Sequence, residues 1–175
     1  VKKIVAAFNI PVLIKPGFEA DDIIGTIARQ AGDEGFEVFM MTPDKDYAQL
    51  VKEHVYLYKP SFMGNGVDVL GIPEVLKKFD IERVEQVIDI LGLQGDAVDN
   101  IPGIPGVGAK TAVKFLKEYG SVEGLLENTD QLKGKMKEKV EANKEQALLS
   151  KKLATIKVDV PIEYEPDKLK YEGPN

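Results

Sequence analysis

The stretch Gly95–Leu116, GDAVDNIPGIPGVGAKTAVKFL, constrains this chain more than any other. Pro102, Gly103, Pro105, Gly106 and Gly108 crowd together in it. Proline fixes φ and glycine admits positive φ, so Asn100–Gly108 must be a tight, built turn. Beyond Gly108 the spacing predicts a helix. Ala109, Ala112, Val113 and Leu116 follow the i, i+3, i+4, i+7 pattern of a buried face. Lys110, Lys114 and Lys117 recur on its polar side. The start of such a helix offers unpaired N–H groups and a positive dipole end, which suit a phosphate. The bland alternative is a glycine-rich helical hairpin with a solvated lysine face. Gly106-Val107-Gly108, directly upstream, favours a helix-hairpin-helix that grips a nucleic-acid strand by its phosphates without reading bases.

The 175 residues allow one full domain with a small subdomain, and an apolar share of 43% is enough for a core. No run approaches the roughly 18 apolar residues of a membrane span. With no cysteine there is no disulfide framework and no zinc–thiolate site. That suits the cytoplasm, and the chain is expected to be monomeric and associated with the bacterial nucleoid. The single histidine, His54, is expected to be structural or solvent-facing. The sequence shows no signal-peptide pattern and its first residue is Val1, not methionine, so the chain is expected to be an excised piece of something longer. The net charge of −6 conceals an asymmetry: residues 1–108 hold 10 basic and 17 acidic side chains, residues 109–157 hold 11 and 7. An acidic half able to hold cations adjoins a basic half able to hold phosphates.

In chain order, Val1–Phe8 reads as the end of a helix and Val12-Leu13-Ile14 as a short buried parallel strand. Phe18–Ala31 reads as a helix with Ile23, Ile24, Ile27, Ala28 and Ala31 inward. Its first turn carries Glu19, Asp21 and Asp22, which taken alone suit helix capping. Phe36–Thr42 reads as a second apolar strand, and Asp44-Lys45-Asp46 follows at its carboxyl end, the edge where α/β sheets bind ligands. Tyr47–Val51 is a short helix. Val55–Lys59 and Val67–Leu70 form a hairpin around Gly64-Asn65-Gly66. Helices follow from Pro73 to Phe79 and over Val84–Leu93. After the hairpin helix, Ser121 caps a short helix. Leu132–Lys152 holds a long, solvated surface helix interrupted near Gly134. Thr155–Glu165 alternates as an edge strand or extended docking segment, with Pro161 in it. These elements divide the chain into 1–93, an α/β core; 94–157, the hairpin subdomain; and 158–175, a docking strand and linker.

Seven carboxylates stand at element boundaries: Glu19, Asp21, Asp22, Asp44, Asp46, Asp96 and Asp99. If a sheet brings them together they repel one another and need cations. Oxygen-only donors select hard ions, Mg²⁺ first and Mn²⁺ next. Two such ions could activate a water and stabilise the leaving oxygen of a phosphodiester. A phosphotransferase with Asp44 as covalent nucleophile accounts for neither the hairpin nor Asp96 and Asp99. A non-catalytic DNA-binding module, whose acids merely cap helices, is the stronger rival. The nuclease reading requires the acids to converge, and the module reading lets them scatter.

Phe18-Glu19-Ala20-Asp21-Asp22, Thr42-Pro43-Asp44-Lys45-Asp46 and Gly95-Asp96 through Lys110 together resemble the 5′-nuclease domains of bacterial DNA polymerase I, in the flap endonuclease family. The resemblance runs in order over essentially the whole chain. It implies a PIN-like, Rossmann-like parallel-sheet core with a helix–three-turn–helix subdomain. It implies hydrolysis of 5′ ends and flaps with divalent metal, two ions per complete site, and polymerase domains in the same parent chain. By motif match, Glu19, Asp21 and Asp22 would be metal ligands or their supports, and Asp44, Asp46, Asp96 and Asp99 would hold a second metal. Gly103, Gly106, Gly108, Lys110, Thr111 and Lys114 would meet DNA, with a monovalent cation in the hairpin. The family also carries aspartates and a basic helical arch ahead of the matched segment. The 175 residues alone are therefore expected to bind DNA weakly and to cleave little.

Overall fold

The computed structural model describes residues 2–60 and 66–174. Helix α1 (Lys2–Ala7) lies on the surface with Ile4 and Phe8 exposed. Helix α2 (Ala20–Asp33) buries Ile23, Ala28 and Ala31 as its spacing predicts, but Ile27 is half-buried and Ile24 is exposed. Strand β1 (Val38–Met41) leads through a 3-10 turn (Asp46–Leu50) to β2 (Val55–Pro60). Strand β3 (Val67–Leu70) and helices α3 (Ile72–Phe79) and α4 (Gln86–Gln94) follow. Then come α5 (Ala109–Tyr119), α6 (Val122–Glu127), α7 (Gly134–Ala142) and α8 (Lys144–Ala154).

Among the described residues the sheet has three strands in the order β1-β2-β3. It is mixed: β1 pairs parallel to β2, and β3 returns antiparallel. The expected hairpin forms, with Pro60 opposite Val67. The Gly64-Asn65 part of its turn lies outside the described residues. The expected strand at Val12–Ile14 does not form. That segment is extended but joins no ladder among the described residues, and Val12 and Ile14 are more than half exposed. It runs beside α2 and the free side of β1, where it borders an apolar cleft of about 720 Å³. As the sheet edge, β1 buries only Met40, whereas a continuous apolar run predicts burial on both faces.

Thr155–Glu165 is likewise extended, without strand partners among the described residues. It docks through single backbone N–H groups: Ile156 on Gln49 Oε1 at 2.9 Å, Lys157 on Asp22 Oδ1 at 2.9 Å and Val160 on Thr26 Oγ1 at 3.1 Å. Side chains of α2 and of the 3-10 turn thus replace the ladder that a sheet edge would offer. The long charged helix is two helices, broken at Asn143. Gly124 is needed within α6, because a Cβ there would stand 2.1 Å from the Tyr119 carbonyl oxygen.

A single apolar cluster runs from Ala28 of α2 through β2, α4, α5 and α6 to Ala154 of α8. The core is therefore continuous across residue 93. Helix α8, read as a solvated face, crosses α4 so closely that a Cβ on Gly92 would lie 2.8 Å from Lys151 Cβ. At that crossing the buried Asp89 accepts from Val122 N at 2.9 Å and pairs with Lys151 at 2.7 Å. Lys151 also reaches Glu123 at 2.7 Å. Removing one partner of a buried pair strands the other. Lys151→Met should therefore cost about 2–3 kcal/mol in urea denaturation, and a loss under about 0.5 kcal/mol would place the pair among weak surface bridges.

Candidate metal centre and nucleic-acid interface

Three sequence-distant segments deliver acids to one place. Glu19, Asp21, Asp22, Asp44, Asp46 and Asp99 line a polar cleft of about 300 Å³. Two of these, Asp46 and the exposed Asp99, cluster with the buried Asp96: each of the three offers a carboxylate oxygen, all within 4.8 Å of one another. The local reasons are legible. Parallel pairing fixes the carboxyl end of β1, so the chain must turn at Thr42–Asp46. Asp44 Oδ1 accepts the Asp46 amide at 2.9 Å, and this turn points Asp46 inward. The third segment is a closed loop. Asp96 N donates to Ile101 O at 2.9 Å and Ile101 N to Asp96 O at 2.7 Å, while Asp96 Oδ1 accepts from Val98 N at 2.9 Å.

The charges are strongly perturbed. Asp46 is 8% exposed, and its Oδ1 has no hydrogen-bond partner among the described residues. Burial, followed by the charge of Asp44, pushes its carboxyl up to about 6. Asp96 moves the other way: the Lys45 ammonium, 2.5 Å from its Oδ2, holds it below the usual carboxylate range. Lys45 is raised by the same bond. One lysine thus faces a group of acids it cannot neutralise. A buried carboxylate oxygen without a partner, ringed by oxygen donors and free of sulfur or imidazole, fits a hard divalent cation. Asp46, Asp96 and Asp99 would hold it, with Glu19, Asp21 and Asp44 along the cleft.

Asp22 lines the cleft and also has structural partners. Its Oδ2 accepts Glu19 N at 3.3 Å and its Oδ1 accepts Lys157 N at 2.9 Å. These bonds cap α2 and hold the extended C-terminal segment. Asp21 is turned into the cleft, where the Tyr47 hydroxyl donates to its Oδ1 at 2.6 Å.

On the hairpin, Gly106, Gly108, Lys110 and Lys114 are exposed and Thr111 is half-buried. Helix α5 starts at Gly108 and buries Ala112, Phe115 and Leu116 behind them. Two residues differ from expectation. Gly103 is buried; its N–H donates to Ser150 Oγ at 3.0 Å and its carbonyl accepts from Gln146 Nε2 at 2.7 Å. It packs the hairpin onto α8. Lys117 pairs with Asp80 and so is drawn away from the row of Lys110 and Lys114. The sequence reading missed Ser150, Gln146 and Tyr47. A signal for the first existed: Ala147, Ser150 and Ala154 form a small-residue stripe on α8, and all three are buried.

Residues 1–85 match the 5′-3′ exonuclease N-terminal resolvase-like domain, and residues 82–175 match the 5′-3′ exonuclease C-terminal SAM fold. The chain is 42% identical over 173 residues to DNA polymerase I of Bacillus caldotenax, covering 98% of this chain and 20% of the polymerase. It is 41% identical over 175 residues to a 5′-3′ exonuclease of Aquifex aeolicus, covering 100% of this chain and 58% of that protein. The solved structure of T5 5′-exonuclease with bound divalent metal ions (zinc) superposes with a TM-score of 0.72 at 25% identity, over 82% of this chain and 52% of the T5 chain. The chain thus spans about a fifth of its polymerase relative and little over half of the exonuclease. No helix among the described residues is long and apolar enough to cross a membrane. With an α/β core, a glycine-rich hairpin and two matched domains that together run its full length, the chain belongs to the 5′-3′ exonuclease family.

Proposed function

We propose that this chain supplies the metal-binding cleft and the DNA grip of a 5′ nuclease, acting on 5′ ends or flaps of duplex DNA beside polymerase domains of one parent chain. The observation that carries this reading is the convergence of Asp46, Asp96 and Asp99 within 4.8 Å, with a buried oxygen of Asp46 unpartnered. A module whose acids only cap helices has no use for that arrangement. Mg²⁺ or Mn²⁺ bound there would polarise the scissile phosphate and lower the pKa of an attacking water.

The chain's own residues do the rest. Asp46, Asp96 and Asp99 fix the ligand oxygens. Glu19 and Asp44 extend the negative lining toward a second cation. Lys45 holds Asp96 in place. The exposed start of α5, with Gly106 and Gly108 allowing close approach, grips one strand through its phosphates, and Lys110 and Lys114 neutralise them. Asp96 and Gly103 lie on one short segment, so a strand held by the hairpin is also positioned against the cleft.

Two measurements test this reading. A 5′-flap duplex should be bound with an affinity that falls steeply with salt. Lys110→Ala with Lys114→Ala should weaken binding at every sequence and reduce the slope of log K against log [salt] by about 2. An unchanged slope removes these lysines from the interface. Cleavage of the same duplex, assayed with this chain and with one extended upstream, should require Mg²⁺ or Mn²⁺ and vanish in Asp96→Asn. Binding with no metal-dependent cleavage by either chain would leave only a DNA-binding module.

A further inference from the structure

We propose that Tyr47 is a positioning residue of the metal centre: its buried phenol fixes the Asp21 carboxylate in the cleft before any cation arrives. This rests on the metal-centre reading and adds a residue to it. The ring of Tyr47 is 4% exposed and belongs to the apolar core. Its backbone lies in the 3-10 turn one residue after Asp46. From there the hydroxyl spans to α2 and donates to Asp21 Oδ1 at 2.6 Å. Among the described residues this is the hydrogen bond that orients the Asp21 carboxylate, whereas Asp22 is held by two backbone amides.

A tyrosine suits this task better than a basic residue would. The acids already face Lys45, and a second fixed cation would compete with a metal for the same oxygens. A phenol is neutral, donates one proton and leaves the charge of Asp21 undiminished. Its rigid ring is anchored in the core, so little side-chain freedom is left to lose when the carboxylate is held. Tyr47 also connects the two acid-bearing segments directly, since Asp46 and Asp21 sit on its two sides. A carboxylate held in one rotamer binds a cation more tightly than one that must be ordered on binding.

The test is Mn²⁺ binding to the full 175-residue chain, followed by electron paramagnetic resonance and paired with urea unfolding in chelator. Wild type, Asp46→Asn, Tyr47→Phe, Asp21→Asn and the Tyr47→Phe/Asp21→Asn double variant are compared. Tyr47→Phe keeps the ring, and Tyr47→Met keeps the core filled should the phenylalanine variant fold poorly. The expected result is a fold near wild type with Mn²⁺ affinity reduced about fivefold to tenfold. That reduction should disappear in the Asp21→Asn background, because the hydroxyl then has no carboxylate to hold. A merely structural tyrosine would shift the urea midpoint and leave Mn²⁺ affinity unchanged; that outcome overturns the proposal. So does an equal loss with and without Asp21. If wild type shows no Mn²⁺ binding that depends on Asp46, the metal-centre reading fails and this inference falls with it. Wild-type binding that depends on Asp46 but not on Tyr47 defeats the inference alone.

Discussion

Asp46→Asn should make the metal-free protein more stable at neutral pH and abolish its response to divalent cations. The two effects share one cause. Asp46 is buried, one of its oxygens is unpartnered, and Asp44, Asp96 and Asp99 surround it with like charge. Its carboxyl is pushed from 3.8 up to about 6 in the fold. The native state therefore binds more protons than the unfolded chain between these values. Stability must fall as the pH rises from about 4 through about 6, and stay lowered above that. At about 1.4 kcal/mol per unit, the ionised Asp46 costs the metal-free fold about 3 kcal/mol. An asparagine carries no charge and can donate to neighbouring carboxylates, so it recovers about 1–2 kcal/mol of this. The wild-type protein recovers stability by binding a cation, worth about 2.7 kcal/mol at a hundredfold excess over Kd. Urea midpoints measured with chelator and with Mn²⁺, at pH 8 and near pH 4, separate these contributions. The variant should be the more stable at pH 8 in chelator, match wild type near pH 4, and stay flat on adding Mn²⁺. A destabilised variant at pH 8 in chelator would mean that Asp46 is held by partners and does not await a cation.

Gly103→Ala should be the most damaging conservative change in the hairpin, at about 3 kcal/mol or more. Gly103 has φ +60°, and a Cβ there would sit 2.4 Å from Gly95 N and 2.5 Å from the Gln94 carbonyl carbon. These neighbours are backbone atoms and cannot step aside as a flexible side chain could. The alternative, a shift of residue 103, breaks its buried bonds to Ser150 and Gln146. The loop closed by Asp96 and Ile101 ends two residues before Gly103, so the hairpin and the metal-binding loop should be disturbed together. Gly108→Ala is the contrast. It lies outside the positive-φ region with nothing within 4 Å of a built Cβ, so its fold should change by under about 0.5 kcal/mol. Urea unfolding checks the pair, and Mn²⁺ binding should fall in the first and persist in the second. A Gly103→Ala protein within about 1 kcal/mol of wild type would show that the hairpin can relax away from α4.

Sequence alone determined the features set by local chemistry. The crowding of proline and glycine after Asp99 forces a turn whatever surrounds it. The 3.6-residue periods of α2 and α5 mark part of their buried faces, Ile23, Ala28 and Ala31 in one and Ala112 and Leu116 in the other, whereas α4 is buried on nearly every side. The placement of acids at the ends of elements could be read directly, because carboxylates there are already favoured by turn and capping geometry. Tertiary structure decided what depends on partners distant in the chain. Val12–Ile14 has the composition of a buried strand, yet forming one requires a neighbour to share backbone hydrogen bonds, and among the described residues it has none. Asp21 and Asp22 are adjacent and chemically identical, but Lys157 arrives to occupy one and the Tyr47 hydroxyl orients the other. Gly103 and Gly106 look interchangeable in sequence, and only α8, which buries the first and leaves the second exposed, assigns them different roles. Helix α8 belongs to the lysine- and glutamate-rich stretch Leu132–Lys152, which reads as a solvated face. Its small-residue stripe gained meaning once α4 was there to pack against it.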